Sequence, residues 1–311
     1  LQIKDRIRMT TTLVVLAAKM GNKYGGLKQL EGIGPNGETI LDYSMYDAIK
    51  TGFNKVVFVI SKYFEEEFKK VVSSKYEGKI EIEYAFQEIE SVPEELRNSK
   101  RNLLWGSAHA LLMAKDVIKE PFGVINAANF YQRESFEILY NELQNIRNTR
   151  DKHFLVSFRL ANVLAESGGL TRGICEVNEE GNLISIIDRK GVERIGGDPM
   201  YLNEFNKWVG LDVASPISMN MWGFTPDIFT SLTHEFDSFI AKSGLDLNST
   251  FTIPQFMNTM VQKGLKVNTI STPAKWMALV SPDDRIQVIL RINDLIRKGV
   301  YPQKLFELTN L

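Results

Sequence analysis

The stretch Thr12-Leu-Val-Val-Leu-Ala-Ala-Lys-Met-Gly-Asn-Lys-Tyr-Gly-Gly-Leu-Lys28 decides how the rest of the chain is read. Its first part, Thr12 to Ala18, is a continuous apolar run. It ends in a loop with glycines at 21, 25 and 26 and lysines at 19, 23 and 28. A run without alternation is how a strand covered on both faces reads, because both sets of its side chains are buried. Outward from it the pattern repeats. Asp42 to Thr51 reads as helix, Lys55 to Ile60 as a second buried strand, and Glu65 to Val72 as helix. Ile80 to Phe86 is a third strand, Trp105 to Lys115 helical, Phe122 to Asn126 a fourth strand, and Arg133 to Arg147 an amphipathic helix. Strand and helix in alternation mean βαβ units, hence an α/β fold with a mostly parallel central sheet and helices on both faces.

After His153 the texture changes. Phe154 to Phe158, Gly173 to Val177 and Leu183 to Ile187 read as short strands, with Asn178-Glu-Glu-Gly-Asn182 as a hairpin turn between the last two. Met219 to Phe224 is another strand. Helices follow within Pro226 to Lys242 and over Phe256 to Lys263, then a strand at Val267 to Ile270 and a last helix at Pro282 to Lys298. No repeat, low-complexity run or Pro/Gly/Ser linker interrupts the chain, so one elaborated domain is expected over 12–311.

Composition bounds the function. The chain has 311 residues, with 37 Lys+Arg against 38 Asp+Glu, a balance that argues against a general nucleic-acid binder. Its single cysteine, Cys175, allows no intrachain disulfide and suits a reducing cytoplasm. Three separated histidines, His109, His153 and His234, give no Cys/His zinc spacing. Residues 1–8 are polar and basic, and the run from Leu13 to Ala18 is too short for a secretory or membrane-spanning segment. Residues 1–11 are read as an N-terminal extension, and no membrane partner is expected.

In an open parallel sheet, ligands bind beyond the carboxyl ends of the strands. Three such ends hold unusual residues. After the first strand, small Ala17, Ala18 and Gly21 let backbone approach a phosphate or base, while Lys19, Lys23 and Lys28 supply cations. Neither the GxxxxGK[ST] nor the GxGxxG fingerprint is present. At Trp105-Gly-Ser-Ala-His-Ala110 a Gly-Ser pair opens a helix and offers free N–H groups. His109 reads as a pocket-wall residue, and Trp105 equally as core or as a stacking surface. Beyond the fourth strand, Asn126-Ala-Ala-Asn-Phe-Tyr131 carries no carboxylate.

Together these loops resemble the nucleotidyltransferases that join a nucleoside triphosphate to a sugar 1-phosphate or similar phosphate. In that family the first strand runs into L-A-A-G-x-G-[ST]-R, and here it reads Leu16-Ala-Ala-Lys-Met-Gly-Asn-Lys23. The likeness is closest to a bacterial branch carrying Y-G-G-L-K-Q, G-P-N-G-E and D-Y-S-x-Y-D-A, found here at Tyr24–Gln29, Gly34–Glu38 and Asp42–Ala48. Gln87, Arg172-Gly173, Ser218 to Phe224 and Lys298-Gly-Val-Tyr-Pro302 continue it, so it spans nearly the whole chain.

The resemblance implies a Rossmann-like nucleotide-diphospho-sugar transferase fold, with 12–150 as the nucleotide-binding half and 151–311 as the acceptor-binding half carrying a β subdomain. It implies that Leu16, Ala17, Ala18, Gly21, Gly106 and Ser107 meet the nucleotide and that Gln87 reads the base edge. Lys23 and Lys28, with Lys19, would serve the phosphates. Arg172, Asp188 and Asn220 would face the acceptor, although Asp188 reads equally as a hairpin-end surface charge. Mg²⁺ would bridge the phosphates, its partners being a nucleoside triphosphate and a sugar phosphate. Three positions depart from the pattern. Lys19 replaces a glycine, Lys23 an arginine, and Ala128-Asn129 a pair of aspartates of which the first would bind the metal. Lysine keeps charge without the bidentate fork, alanine ligates nothing, and asparagine offers a neutral oxygen. Two readings stay open: an active transferase, and a relative that binds nucleotide or sugar phosphate without turnover. The base, the acceptor and the oligomeric state, with Tyr301 and Phe306 packing on the domain or on another subunit, stay open too.

Overall fold

In the computed structural model, Thr12–Leu16 lies between Lys55–Ile60 and Phe122–Asn126 and runs parallel to both. The structure describes residues 9–22, 26–27, 31–164, 169–279 and 282–306. Glu81–Phe86 adds a further parallel strand beside Lys55–Ile60. The unbroken apolar runs follow from cover on both faces. Leu13 and Val15, with Val56, Phe58 and Ile60, point into one core that includes Met45, Phe68, Phe136 and Leu139. Val14, with Val57 and Val59, points into the other, with Trp105, Leu111, Leu232 and Phe256. Helices Ile40–Thr51, Glu65–Val71 and Arg133–Asn145 supply the first core. Ser107–Leu112, Ile228–Ser243 and Ile253–Gln262 supply the second.

Past Phe122–Asn126 the same sheet turns antiparallel. Pro216–Phe224 pairs along one edge with Phe122–Asn126 and, further along that edge, with Leu170–Val177, and on its other edge with His153–Arg159. Val267–Thr272 runs parallel to His153–Arg159. Leu183–Ile195, Asp198–Leu202 and Trp208–Gly210 complete an 11-stranded mixed sheet. The strand expected at Leu183 to Ile187 thus extends to Ile195. Its second half carries Arg189, Lys190, Glu193 and Arg194, so no apolar alternation marks it. Backbone pairing through a turn at Gly196 and Gly197, both at positive φ, holds it instead. The helix expected from Trp105 to Lys115 contracts to Ser107–Leu112: Gly106, at φ 103°, ψ 178°, delays its start, and tighter turns (Ala114 N–H to Leu111 O, Lys115 N–H to Leu112 O) follow its end.

Two of the shared motifs, Asp42–Ala48 and Lys298–Pro302, meet at one structural joint. Thr39 caps Ile40–Thr51 in a capping box with Asp42, whose carboxylate also takes Lys75 Nζ at 2.8 Å and the Tyr76 hydroxyl at 2.6 Å. Asp47, on the same helix and fully buried, accepts from Arg133 Nε at 3.1 Å and from the Tyr301 hydroxyl at 2.6 Å. Helix Pro282–Arg297 covers this corner through Val288, Ile292 and Leu295. Tyr301 and Phe306 therefore pack on the chain itself, Phe306 against Tyr46 and Tyr76. Among residues 9–11, Thr11 is tied down by Gln144 and Asn54.

Candidate active site

At the carboxyl ends of Thr12–Leu16 and Phe122–Asn126 opens a cleft of about 460 Å³. Its first half is lined by Leu16, Ala18, Lys19, Gln87, Gly106 and Ser107, and by Asn126, Ala128 and Asn129 beyond the fourth strand. The antiparallel part contributes Asp188 and Asn220. Residues 19, 87, 106 and 128, in loops beyond or beside the parallel strand ends, meet here with 188 and 220, which lie within the antiparallel strands Leu183–Ile195 and Pro216–Phe224. A second cavity of about 800 Å³ shares Ala18 and Lys19 with the cleft. Its two arginines hold the surrounding loop: Arg97 donates to Val92 O, and Arg101 to Asp246 O and Ser249 O while lying 3.5 Å over the Trp105 ring. Trp105 is fully buried and donates to Ile89 O, so it belongs to the core.

Several expected residues are placed differently. Ala17 does not line the cleft. Its N–H is spent on Val59 O at 2.8 Å, continuing the sheet. Ala108 N–H, expected free at the Gly-Ser helix start, donates to Phe251 O at 3.0 Å. Ser107 Oγ accepts from Ile253 N–H at 3.0 Å and so caps the neighbouring helix. Arg172 is buried away from the cleft, with its guanidinium on Val163 O and 5.2 Å from the Trp276 ring. Burial depresses its pKa to about 10. Gly21 lies in a two-residue strand paired with Gly26–Leu27. Lys23 and Lys28 lie outside the described residues.

The polar floor is a chain of amides. Asn220 Nδ2 donates to Asn126 Oδ1 at 2.8 Å, and Asn220 Oδ1 accepts from the buried Trp222 Nε1 at 3.1 Å. Asn129 Nδ2 donates to the Tyr131 hydroxyl at 3.3 Å, which in turn donates to Met219 O. Asn220 sits at φ 62° where the strand register shifts between Ser218 and Trp222, a bulge that turns its amide toward Asn126. Sequence reasoning found Asn220 only through resemblance and missed Asn126 as its partner, since the pairing spans 94 residues. Asn220→Ala should cost about 2–3 kcal/mol, since it leaves Trp222 Nε1 without an acceptor and keeps the positive φ. Asn220→Gly, free of the backbone strain, should cost less than Asn220→Ala in urea denaturation. Equal losses would show that the bulge stores no strain.

Among the described lining residues Asp188 is the sole carboxylate, beside neutral amides and Ala128. That donor set does not fit a Mg²⁺ held by the protein, which takes hard anionic oxygens. Among the described residues one His/Asp cluster has metal-compatible spacing, Asp151, His153 and Asp227. It lies at the opposite end of the sheet: His153 pairs with Phe224, and Phe224 with Phe122, four residues from the cleft end at Asn126.

The family model described as nucleotidyl transferase matches residues 28–186. No curated protein sequence matches the chain. Among solved structures, one assigned as a glucose-1-phosphate thymidylyltransferase from Bacillus anthracis, in complex with sucrose, superposes with a TM-score of 0.59 at 13% identity, covering 92% of this chain and 96% of that one. The inositol-1-phosphate CTP transferase from T. maritima gives 0.57 at 14% identity, with 92% and 97% covered. A UDP-glucose pyrophosphorylase complexed with UDP-glucose gives 0.57 at 14%, with 92% and 99% covered. At these identities the likeness shows a shared Rossmann-like fold.

Proposed function

The chain belongs to the nucleotidyl transferase family, and we propose that it transfers a nucleoside monophosphate from a triphosphate to a sugar 1-phosphate or similar phosphate. The observation that supports this reading is the cleft that gathers Lys19, Gln87, Gly106 and Ser107 with Asp188 and Asn220 at one edge of the sheet. In the proposed reaction an acceptor phosphate oxygen attacks the α-phosphorus. The bond from that phosphorus to the bridging oxygen breaks, and pyrophosphate leaves. Such chemistry is positioning and charge neutralisation more than covalent help. Leu16, Ala18, Gly106 and Ser107 wall the nucleoside, and Gln87 meets the base edge. Lys19, exposed on the ridge between the two cavities, neutralises the transferred phosphate as a point charge, with Lys23 and Lys28 as further cations. Asn220, fixed by Asn126 and Trp222, and Asp188 orient the acceptor, and Arg172 supports that half from beneath.

Mg²⁺ dependence is implied by the resemblance, while the described cleft offers no matching ligand set, so no step is assigned to a metal. Ala128 and Asn129 favour a second reading, in which the chain binds nucleotide or sugar phosphate without turnover. One experiment separates the two: pyrophosphate release with Mg²⁺, each common triphosphate and a mixture of sugar 1-phosphates, for the parent and Ala128→Asp. Turnover by the parent supports transfer and excludes the second reading. A silent parent beside a variant faster by about 10²–10⁴, the range for restoring a lost charge stabiliser, means a pocket intact but for its cation ligand. Silence from both overturns the transferase reading.

A further inference from the structure

Gln87 and His109 meet at the wall of the cleft, where Gln87 is 2% exposed and His109 fully buried. Gln87 Nε2 lies 2.9 Å from Gly106 O and 3.1 Å from His109 Nδ1, and His109 Nε2 lies 3.3 Å from Ser91 O. These contacts fix every proton in the group. A carbonyl oxygen only accepts, so His109 Nε2 carries the hydrogen given to Ser91, and in a neutral imidazole Nδ1 is then a bare acceptor. The ring is neutral at pH 7: burial, with Arg101 adding to it, pushes its pKa down to about 4. The amide of Gln87 has one permitted orientation as well. Turned over, it would set its oxygen 2.9 Å from Gly106 O and face His109 Nδ1 with a second lone pair, two acceptor–acceptor contacts in a dry site. Both amide hydrogens are thereby committed, one to Gly106 and one to His109. The polar atom that these bonds leave for the cleft is Oε1, an acceptor.

We propose that His109 is a positioning residue that locks Gln87 with its carbonyl oxygen toward the nucleotide, so that the site takes a base with a ring N–H, namely uracil, thymine or guanine. The proposal rests on the reading of the cleft as a nucleotide site. Cytosine and adenine present a lone pair at the same position of their pairing edge, which an immovable Oε1 opposes. If the amide were free, it would turn over and accept either class. The lock is what converts a permissive residue into a selective one, since a buried acceptor left unpaired is costly. His109 therefore acts through Gln87 and touches neither phosphate nor acceptor.

Two measurements test the two parts separately. Nitrogen-15 NMR of the ligand-free protein reads the lock itself. The expected result is His109 protonated at Nε2 and bare at Nδ1, with both Gln87 side-chain hydrogens protected from exchange. An Nδ1–H tautomer or a freely exchanging amide overturns the lock. Calorimetric binding of UTP, TTP, GTP, CTP, ATP and 3-methyluridine 5′-triphosphate reads the selectivity. The first three should bind at least about tenfold tighter than CTP and ATP, and methylation of the ring N–H should remove the advantage. His109→Leu should shrink the ratio to within about threefold, while His109→Asn, which keeps an acceptor near Nδ1, should largely retain it. Equal binding of CTP and UTP by the parent overturns the selectivity. Binding of no nucleotide, with the tautomer as expected, defeats the nucleotide-site reading and the base preference while leaving the lock established.

Discussion

A Gly106→Ala chain is expected to melt at least about 6 °C below the parent, a loss of about 3 kcal/mol or more at roughly 2 °C per kcal/mol for a chain of this size. Gly106 sits at φ 103°, ψ 178°, a backbone region essentially reserved for glycine and worth about 1–3 kcal/mol to any other residue. A Cβ there would also lie 2.3 Å from Phe251 O and 2.8 Å from Phe251 N. Those are backbone atoms, and they are pinned: Phe251 N–H donates to Trp105 O at 2.7 Å, and Phe251 O accepts from Ala108 N–H at 3.0 Å. Relief requires the Trp105–Ser107 turn to separate from the segment leading into Ile253–Gln262, which adds about 1–3 kcal/mol of overpacking. The same shift moves Gly106 O away from Gln87, so nucleotide binding should weaken along with stability. A melting shift below about 2 °C in differential scanning calorimetry would show that the turn is free to move.

Asp47→Ala should cost about 3 kcal/mol, because it strips the Tyr301 hydroxyl, in a side chain 2% exposed, of its acceptor and leaves the Arg133 guanidinium without its carboxylate. The consequence is loosening of the whole C-terminal cover, since Arg133 also donates to Val300 O at 3.0 Å. Asp47→Asn keeps an oxygen for Tyr301 and should cost much less. The carboxyl of Asp47 is pushed up to about 7, chiefly by burial. Tyr301 and Arg133 pull the other way without prevailing, Arg133 being itself 27% exposed in its side chain. An acid with a raised folded-state pKa binds its proton more tightly folded than unfolded. Its contribution to stability is therefore full below the ordinary carboxylate range and is lost as pH rises through about 7. Urea denaturation at pH 6 and pH 8.5 should show the parent losing stability relative to Asp47→Asn. A constant difference across that window would mean that Asp47 is ionised throughout.

How much of this was legible beforehand varies with the physics of each element. The parallel core was legible at Thr12–Leu16, Lys55–Ile60 and Phe122–Asn126, because burial on both faces writes itself as an unbroken apolar run. Leu183–Ile195 was legible only to Ile187, since beyond that point backbone pairing holds a charged ribbon. The Gly-Ser turn reads as special from the sequence, yet the groups that it would leave free are occupied. Ala108 N–H and Ser107 Oγ serve the segment Phe251–Ile253, nearly 150 positions away. The motif groups Arg172 with the acceptor, while its guanidinium is buried on Val163 O.

The sequence alone determined the α/β class, the family resemblance and the strand ends at which the cleft opens, because these depend on local periodicity and on residue types at a strand terminus. Only the tertiary structure decided what the motif residues do. Asp42 and Asp47, both inside the motif Asp42–Ala48, turn inward to hold a helix start and the C-terminal segment. Gln87 and His109 become one hydrogen-bonded unit with its protons assigned. The reason is common to both. A side chain's chemistry is set by the donors, acceptors and solvent around it, and those arrive from segments whose distance along the chain carries no signal of their nearness in space.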